Sequence, residues 1–435
     1  MGGGEIDVMK KTWMGVAMGI AALGCGDGGG ASSKKTERVP AVERALSMSC
    51  DAKLTGGGAR DAEITRLQAK LREPEARAEA FVSVGHAWVR KARAEAAPQH
   101  YRNAEACAQR ALELAPNDPL ANGLRAMVLL NDHRFAEARA LALELLAKDA
   151  GDVTALGLLS DAALELGDRE AAIEAAQRMV DEKPGLLSYG RAAHLRWLQG
   201  DVAGAKRLYE RAISAGAELK DREPRAWMIV QAALVFWHAG DYAGADAGFD
   251  LALREQPEYA PALEGKGRVA LARGEGRAAV AWLERAERKS PLCETAWLLG
   301  DAYRLIGDQT RAERAYERVE REGKAHDPRT LALFYATKNL RPEEAVKLAR
   351  RQYAERRDLY AKDVLAYALY RSGDVAGARA LSRDVLAQGT PDARLLFRAG
   401  EIARAAGEAK EGAALIAQAR QLNRGFDPLY LEGTL

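Results

Sequence analysis

Few residues of this chain are spaced for catalysis or for metal binding. The sequence contains no Walker loop, no His-Glu-x-x-His and no Gly-x-Ser-x-Gly. The Gly265-Lys266-Gly267 stretch is too short to count as a dinucleotide-binding fingerprint. The 6 histidines never stand at the i, i+4 spacing that lets one helix hold a metal with two imidazoles. The sequence therefore predicts a non-enzyme with no metal and no cofactor.

Cys25 is the residue with the clearest indication of covalent chemistry. It follows an apolar run, residues 13–23, which Lys10 and Lys11 precede. A basic start, a short apolar run and small residues before a cleavage point are the three parts of an export signal. The run has 11 residues, whereas a helix needs roughly 20 to span a bilayer. A permanent transmembrane anchor is therefore the weaker interpretation.

The segment Ala22-Leu23-Gly24-Cys25 resembles the bacterial lipobox, whose cysteine thiol receives a diacylglycerol and becomes the first residue of the mature protein. That box usually has Leu, Val or Ile three positions before the cysteine, where this chain has Ala22. Cleavage by an ordinary signal peptidase is therefore the alternative. We favour lipid attachment at Cys25, because a cysteine between an apolar run and a Gly-rich stretch otherwise has no explanation.

The composition predicts a helical protein that does not bind nucleic acid. Apolar residues make up 48% of the chain and aromatic residues 6%, and Ala, Leu, Arg and Glu, all strong helix formers, dominate. Lys plus Arg number 64 against 62 Asp plus Glu, a net charge of +2. Both signs are spread over the chain, whereas nucleic-acid binding needs a concentrated basic patch.

A glycine followed by an acidic residue recurs at a nearly constant spacing. Successive glycines lie 33, 40, 34, 33, 66 and 34 residues apart. Because 66 is twice 33, one less obvious unit lies between the fifth and sixth pairs, and the 40 implies an insertion near residues 220–225. A period of 33 or 34 residues indicates stacked helical hairpins. The pairs are Gly167-Asp168, Gly200-Asp201, Gly240-Asp241, Gly274-Glu275, Gly307-Asp308, Gly373-Asp374 and Gly407-Glu408.

Each pair is predicted to be the turn of a hairpin. The glycine can end a first helix in the left-handed conformation, and the acidic side chain can cap a second helix. A small residue follows four positions after each acidic residue, where two helices must approach closely. These small residues are Ala172, Ala205, Ala245, Ala279, Ala312, Ala378 and Gly412.

Together these positions resemble the tetratricopeptide repeat. The resemblance covers about ten units between residues 78 and 426 and implies an all-α, right-handed superhelical solenoid of helix-turn-helix repeats, elongated in shape. It also places the chain among bacterial exported proteins and lipoproteins of this family, but it identifies no partner. The ankyrin turn Thr-Pro-Leu-His is absent, and a pentatricopeptide array would need a basic chain. The best matches are Phe81-x2-Val84-Gly85-x2-Trp88 and Leu299-Gly300-x2-Tyr303 in first helices, and Ala245, Phe249, Ala252 and Pro257 in a second helix.

The resemblance implies a concave binding groove formed by the first helices. Aromatic and arginine side chains dominate binding hot spots, and the register of the turns places many of them at the inward positions. Alternatively, the same aromatic residues fill gaps between neighbouring helices. The predicted groove residues are His194, Trp197, Trp227, Trp237, His238, Arg268, Trp297, Arg304, Phe334, Tyr367 and Tyr370.

The predicted function is a non-catalytic protein-protein interaction scaffold of the bacterial cell envelope, which binds a peptide or partner subunit in this groove. The alternative is a carbohydrate- or peptidoglycan-binding accessory protein, because sugar faces also stack on indole rings. Residues 1–25 are assigned to the signal peptide, 26–58 to a flexible Gly/Ser-rich tether and 59–435 to the solenoid.

The expected location is a lipid anchor in the outer membrane, facing the periplasm. Gly26 follows Cys25, so the aspartate that retains some lipoproteins in the inner membrane is missing. Glu5 and Asp7 are unusual in a basic leader, which makes Met9 an alternative start to Met1.

The other three cysteines form no Cys-x-x-Cys motif. Cys107 and Cys293 fall within predicted helices and are expected to be core thiols. A Cys50–Cys107 disulfide is the less favoured alternative, because the sequence does not supply the geometry that such a bond requires.

Overall fold

The computed structural model describes residues 49–54, 56–73, 77–95 and 97–427. Cys25, the predicted signal peptide and most of the predicted tether therefore lie outside the described residues. The described chain contains one short 3-10 helix, Lys70–Arg72, and α-helices but no strand. This confirms the all-α class.

The α-helices within the described ranges are α1 Ala59–Ala69, α2 Ala78–Glu95, α3 Gln99–Leu114, α4 Pro119–Asn131, α5 Phe135–Lys148, α6 Val153–Glu165, α7 Arg169–Glu182, α8 Leu186–Leu198, α9 Val202–Ala215, α10 Glu223–His238, α11 Tyr242–Glu255, α12 Ala260–Ala272, α13 Gly276–Lys289, α14 Cys293–Leu305, α15 Gln309–Ala325, α16 Pro328–Thr337, α17 Pro342–Glu355, α18 Leu359–Arg371, α19 Val375–Leu386, α20 Ala393–Ala405 and α21 Ala409–Leu422.

From α2 onward the helices pair in chain order as ten hairpins, α2 with α3 through α20 with α21. Each first helix also packs against the first helix of the next hairpin. The count agrees with the predicted ten or so repeats. The insertion expected near residues 220–225 is the long connection between α9 and α10.

The seven Gly-acidic pairs form the predicted turns. Each glycine has a positive φ, between 73° and 93°, which a residue without a Cβ adopts without strain. In the five Gly-Asp pairs the aspartate side chain accepts a hydrogen bond from the backbone N–H three residues on. The Gly204 N–H, for example, donates to Asp201 Oδ1 at 2.7 Å. Glu275 and Glu408 make no such bond, because the longer glutamate side chain is a poorer cap.

Three of the ten described hairpins turn without a glycine, and in the second and the eighth another residue takes the left-handed conformation, which explains why the repeat is harder to detect there. In the second hairpin His133 takes the left-handed conformation, with φ 58°. In the eighth hairpin, the less obvious unit between Gly307 and Gly373, Asn339 and Arg341 do so, with φ 53° and 44°. Side chains therefore occupy backbone positions that glycine fills elsewhere, and the dipeptide signal disappears while the hairpin remains.

A disulfide joins Cys50 to Cys107. The expectation that Cys107 is a core thiol was therefore wrong, and the less favoured alternative is the observed one. The short segment before α1 packs against both α1 and the first hairpin. Gln68 Nε2 of α1 and Trp88 Nε1 of α2 each donate to the Cys50 carbonyl at 3.2 Å. This contact brings the two cysteine Cα atoms to 4.7 Å. Cys293 is the predicted free, buried thiol.

The superhelix turns back until its later hairpins touch its earlier ones. The Arg357 backbone N–H donates to the Glu165 carbonyl at 2.8 Å. Thr390 Oγ1 donates to the Leu198 carbonyl at 2.6 Å, across 192 residues of sequence. These contacts show a tightly coiled superhelix, more compact than the elongated shape expected from the repeats.

A third contact of the same kind lies at the C-terminal end of the described chain. Asn423 Nδ2 donates to the Trp237 carbonyl at 2.8 Å, and the Gly425 backbone N–H donates to the Tyr242 hydroxyl at 2.7 Å. The seam, as we name it, comprises the contacts of residues 165–167 with 356–357, 198–200 with 389–390, and 237–242 with 422–425. It joins successive turns of the superhelix.

Candidate binding cavity

The coiling of the superhelix forms a partly open cavity of about 920 Å³. Its wall consists mainly of residues from the first helices of the third to tenth hairpins, α6, α8, α10, α12, α14, α16, α18 and α20. Residues of the seam, including Gly167, Arg357 and Gly425, complete the wall. The volume lies within the range of roughly 300–1,000 Å³ typical of ligand pockets.

Aromatic side chains are concentrated on this wall. The whole chain has 7 Trp, 13 Tyr and 7 Phe, and four of the tryptophans line the cavity. Half-buried aromatic rings such as Trp227 and Trp297 present apolar surface to the cavity without being part of the closed core. The aromatic wall residues are Tyr101, Trp197, Tyr209, Trp227, Trp237, Tyr259, Trp297, Tyr360, Tyr367, Phe397 and Phe426.

Eight of the eleven predicted groove residues lie on the wall of the cavity: His194, Trp197, Trp227, Trp237, His238, Arg268, Trp297 and Tyr367. The other three, Arg304, Phe334 and Tyr370, lie off it. Phe334 is only 1% exposed and packs edge-on against Trp297, with ring centroids 5.4 Å apart. Whether any of these residues contacts a partner stays a prediction.

Burial separates the predicted aromatic residues into two groups. Trp197, Trp237 and Tyr367 are 5%, 4% and 3% exposed, so most of each ring packs against protein. Trp227 and Trp297 are half-buried. The core-packing alternative therefore describes much of the first group, whereas the second group has free surface for a ligand.

Some wall residues come from parts of the chain that the repeat register could not bring together. Arg93 and Tyr101 belong to the first hairpin, yet they line the cavity beside Glu223 and Tyr259 of later hairpins. The Tyr259 hydroxyl donates to Glu223 at 2.8 Å. No sequence signal marks this meeting, because it depends on how far each hairpin rotates relative to the last.

The charged residues of the wall neutralise one another. Among the residues that the structure describes, the wall contains nine arginines, eleven carboxylates and no lysine. Arg268 pairs with Glu294 at 2.7 Å and with Glu264 at 3.0 Å, and Arg398 pairs with Asp363 at 2.6 Å. Such a balanced wall lacks the excess positive charge that attracts nucleic acid.

One ion pair of the seam region shows how strongly these charges interact. Arg394 donates from Nη2 to Asp392 Oδ2 at 2.8 Å. Burial opposes ionisation of Asp392, but the neighbouring positive charges, with Arg394 foremost and Arg398 adding to it, more than offset burial and hold the carboxyl pKa well below its usual range. The pair therefore stays ionised at neutral pH.

The two histidines of the wall are uncharged at neutral pH. Burial lowers the pKa of His194 to about 4. Burial also lowers the pKa of His238 to about 4, although the nearby Asp392 carboxylate acts in the opposite direction. The two imidazoles thus add no positive charge to the cavity. Within the described ranges no group of three His, Cys, Asp or Glu residues could hold a metal ion.

Comparison with known proteins identifies the repeat. The family model described as tetratricopeptide repeat matches residues 89–153, 124–186 and 230–292. No curated protein matches the chain. The chain thus contains tetratricopeptide repeats, and its ten hairpins form a superhelix of that family's architecture. Repeats of this kind indicate a protein-protein interaction scaffold, a class that is generally non-catalytic.

Three solved structures are similar to this chain at low sequence identity, with TM-scores below 0.5. Human IFIT1 in a dimer with PPP-AAAA is 14% identical, with a TM-score of 0.47 over 88% of this chain and 99% of that one. PilW, a widely conserved type IV pilus biogenesis factor, is 14% identical, with a TM-score of 0.40 over 47% of this chain and 92% of that one. A tetratricopeptide repeat protein from Parabacteroides merdae is 18% identical, with a TM-score of 0.40 over 57% and 93%.

Within the described residues, no helix combines the length and the apolar character needed to cross a membrane.

Proposed function

We propose that this protein is a non-catalytic scaffold of the bacterial cell envelope that holds an extended peptide or partner subunit in its central cavity. The proposal rests on one observation: aromatic side chains on the first helices of consecutive hairpins line the same cavity. Large aromatic side chains at a partly exposed, concave site are the usual anchors of a protein interface.

The location in the envelope is supported by two independent features. The disulfide between Cys50 and Cys107 is of a kind that persists in oxidising compartments such as the periplasm. The leader with Lys10 and Lys11, the apolar run and Cys25 has the order of an export signal that ends at a lipid attachment site. We therefore propose a lipid anchor on Cys25 in the outer membrane. Fatty-acid labelling tests it: the label should be lost in Cys25→Ser, and its persistence would rule the anchor out.

Trp227 and Trp297 are the best residues for a test of the cavity. Both line it and are half-buried, so truncating them removes contact surface for a partner while leaving most of the core intact. Trp237 and Tyr367 are less suitable, because their deletion would also leave a void in a packed region.

The experiment is crosslinking and affinity capture from the native envelope, followed by affinity measurements on variants. Trp227→Ala should weaken binding of the captured partner by about 30-fold, the effect of losing a hot-spot residue worth ~2 kcal/mol. Trp282→Ala is the matched control, because Trp282 is also a half-buried tryptophan but lies on α13, away from the cavity. It should leave affinity unchanged.

Two results would contradict the proposal. Equal affinity of the wild type and Trp227→Ala for the captured partner would place the binding site elsewhere. Retention of the protein on peptidoglycan with no protein captured would favour the carbohydrate-binding alternative.

A further inference from the structure

A short stretch of chain after the last helix forms part of the cavity wall. Gly425, Phe426 and Asp427 line the cavity, and residues 423–425 make the third set of seam contacts. Phe426 is buried, and its ring lies 5.3 Å from the Phe397 ring, measured between centroids. The chain therefore leaves the described part of the structure at Asp427, on the wall of the cavity itself.

The eight residues that follow are mostly apolar. Residues 428–435, which we call the return segment, have the sequence Pro-Leu-Tyr-Leu-Glu-Gly-Thr-Leu and lie outside the described residues. Leu429, Tyr430 and Leu431 are three large apolar or aromatic residues in a row. Removing such side chains from water is favourable in proportion to the apolar area that is covered. The run therefore favours a site where it can be buried.

The cavity wall offers free apolar surface for this run. Trp227, Trp297 and Leu333 line the cavity and are only half-buried. They come from α10, α14 and α16, which are first helices of three different hairpins. Contact between these side chains and the return segment would remove apolar surface of both from water.

The stretch 423–427 meets the wall at the C-terminal ends of the first helices. Asn423 Nδ2 donates to the carbonyl of Trp237, one residue before α10 ends. An added Cβ on Gly425 would meet the carbonyl oxygen of Ala272, the last residue of α12. The return segment therefore begins at the level where α10 and α12 end.

From that level the return segment is long enough to reach both half-buried tryptophans. Trp297 lies eight residues before the end of α14 and Trp227 eleven residues before the end of α10, which is roughly 12 and 16 Å along the helix axes at 1.5 Å per residue. Leu431 lies four residues beyond Asp427, a span of roughly 13–14 Å in extended chain, and all eight residues span roughly 26–29 Å. The apolar run thus reaches the level of Trp297, and the far end of the segment passes that of Trp227.

The only ionised side chain of the return segment is acidic, which suits the arginines of the wall. Arg93 and Arg371 line the cavity and are partly exposed, and neither forms an ion pair with a described residue. Arg371 instead donates to the Ala336 carbonyl and the Tyr367 hydroxyl, each at 3.0 Å. A glutamate such as that at position 432 can therefore approach the wall without competing for an arginine that already has a carboxylate partner.

We infer that the return segment folds back into the cavity of its own molecule and covers the apolar surface around Trp297, so that a partner must displace it in order to bind. The inference rests on the proposed function, because the segment takes the place of the peptide that the cavity is proposed to hold. It adds regulation to that function: the apparent affinity for a partner is reduced by the fraction of molecules whose cavity is free.

The first test is photocrosslinking within the full-length protein and needs no partner. Benzoylphenylalanine replaces Tyr430, the protein is irradiated at low concentration, and the crosslinked peptides are identified by mass spectrometry. We expect crosslinks within one molecule to wall residues of α12 or α14, the region of Trp297. The control carries the same group in place of Gln421, which is exposed on α21 and absent from the wall, and it should not crosslink to the cavity. Crosslinks from position 430 only to residues off the wall, or only between two molecules, overturn the inference.

The second test measures competition with a defined probe, the fluorescein-labelled octapeptide of residues 428–435. The double variant Leu429→Ser, Leu431→Ser weakens the protein's own segment, so it should bind the probe at least tenfold more tightly than the wild type does. Adding Trp297→Ala to the double variant should raise the probe's Kd by about tenfold. Adding Trp282→Ala, on α13 and away from the cavity, should leave that Kd unchanged.

Equal affinity of the wild type and the double variant for the probe, or no binding of the probe to the double variant, overturns the inference. If Trp227→Ala still weakens binding of the native partner in that case, the scaffold function stands and only the return segment's role fails. If Trp227→Ala leaves the native partner's affinity unchanged, the proposed function fails, and the crosslinks from position 430 still decide whether the segment occupies the cavity.

Discussion

Two sets of turns share one sequence motif but have different surroundings. Gly167, Gly200 and Gly240 lie in the seam, where an added Cβ would meet backbone oxygens of residues 357, 389 and 422 at 2.7, 2.8 and 2.9 Å. Gly274 and Gly307 represent the solvent-facing turns, where an added Cβ would meet nothing within 4 Å. All have positive φ. The same dipeptide therefore ends the first helix in each of the seven hairpins that contain it, and in three of them it also allows close approach of two superhelical turns.

The largest expected effect is a loss of stability at the seam when the pH falls. His238 is one of the seam residues, with Nδ1 3.6 Å from Asp392 Oδ2, and burial lowers its pKa to about 4. The unfolded histidine titrates near 6.5, so the unfolded state binds more protons between pH 6.5 and 4, and stability is lost as the pH falls through this window. At ~1.4 kcal/mol per pKa unit, His238 contributes at most ~3 kcal/mol.

Chemical denaturation between pH 7.5 and 4 measures this effect. His238→Gln should flatten the pH dependence and reduce the loss of stability on acidification. His86 is the comparison, because burial also lowers its pKa to about 4, but it lies on α2 in the first hairpin. Hydrogen exchange in acid should increase at residues 389–392 in the wild type and less in His238→Gln, whereas His86→Gln should not protect that region. Equal exchange at residues 389–392 in the wild type and both variants would mean that protonation of His238 does not weaken the seam.

The second prediction compares the stability lost when glycine is replaced by alanine in a solvent-facing turn and in a seam turn. Gly307→Ala should lose about 1 kcal/mol of stability, because alanine is strained at positive φ. Gly200→Ala has the same strain and in addition a contact of its Cβ with the Gly389 carbonyl at 2.8 Å, so it should lose about 3 kcal/mol. Thermal denaturation of both variants measures the difference. Equal losses would mean that the seam does not hold the superhelix closed in solution.

The smallest expected effect is the loss of an aspartate cap, and it should be equal in the seam turns and in the solvent-facing turns. Asp201 caps α9 in a seam turn, accepting from Gly204 N–H at 2.7 Å, and Asp374 caps α19 in a solvent-facing turn, accepting from Gly377 N–H at 2.9 Å. Replacing either with alanine should lose about 1 kcal/mol, because capping is a local interaction within one helix. A much larger loss in Asp201→Ala than in Asp374→Ala, seen by urea denaturation, would show that the cap also supports the seam.

Much of the candidate site follows from the repeat register, but its degree of burial does not. The inward positions of the first helices place Trp227, Trp237 and Trp297 on one surface, as the turn spacing predicted. The register cannot say that Trp237 is only 4% exposed, because that depends on contacts with Arg394 of the tenth hairpin, whose guanidinium lies 5.5 Å from the indole centroid. Burial here is a property of two superhelical turns together.

The cysteines are a second case in which the sequence could not decide a feature that the tertiary structure shows. Spacing alone excluded a Cys-x-x-Cys site and left a Cys50–Cys107 bond as an alternative that it could not favour. What decides the bond is the packing of the segment before α1 on Trp88 and Gln68, which brings two distant cysteines within bonding range.

By itself, the amino-acid sequence determined the helical class, the hairpin period, the turn residues and the inward-facing positions, because these depend on interactions within about 34 residues. Only the tertiary structure decided that the concave surface forms a partly open cavity, that three of the turns form a seam and that the indole nitrogens of Trp197 and Trp237 are buried without a hydrogen-bond partner. The physical reason is accumulation: each hairpin adds a small rotation to the last. The sum of these rotations over residues 165 to 357 brings chain segments together that no local pattern relates.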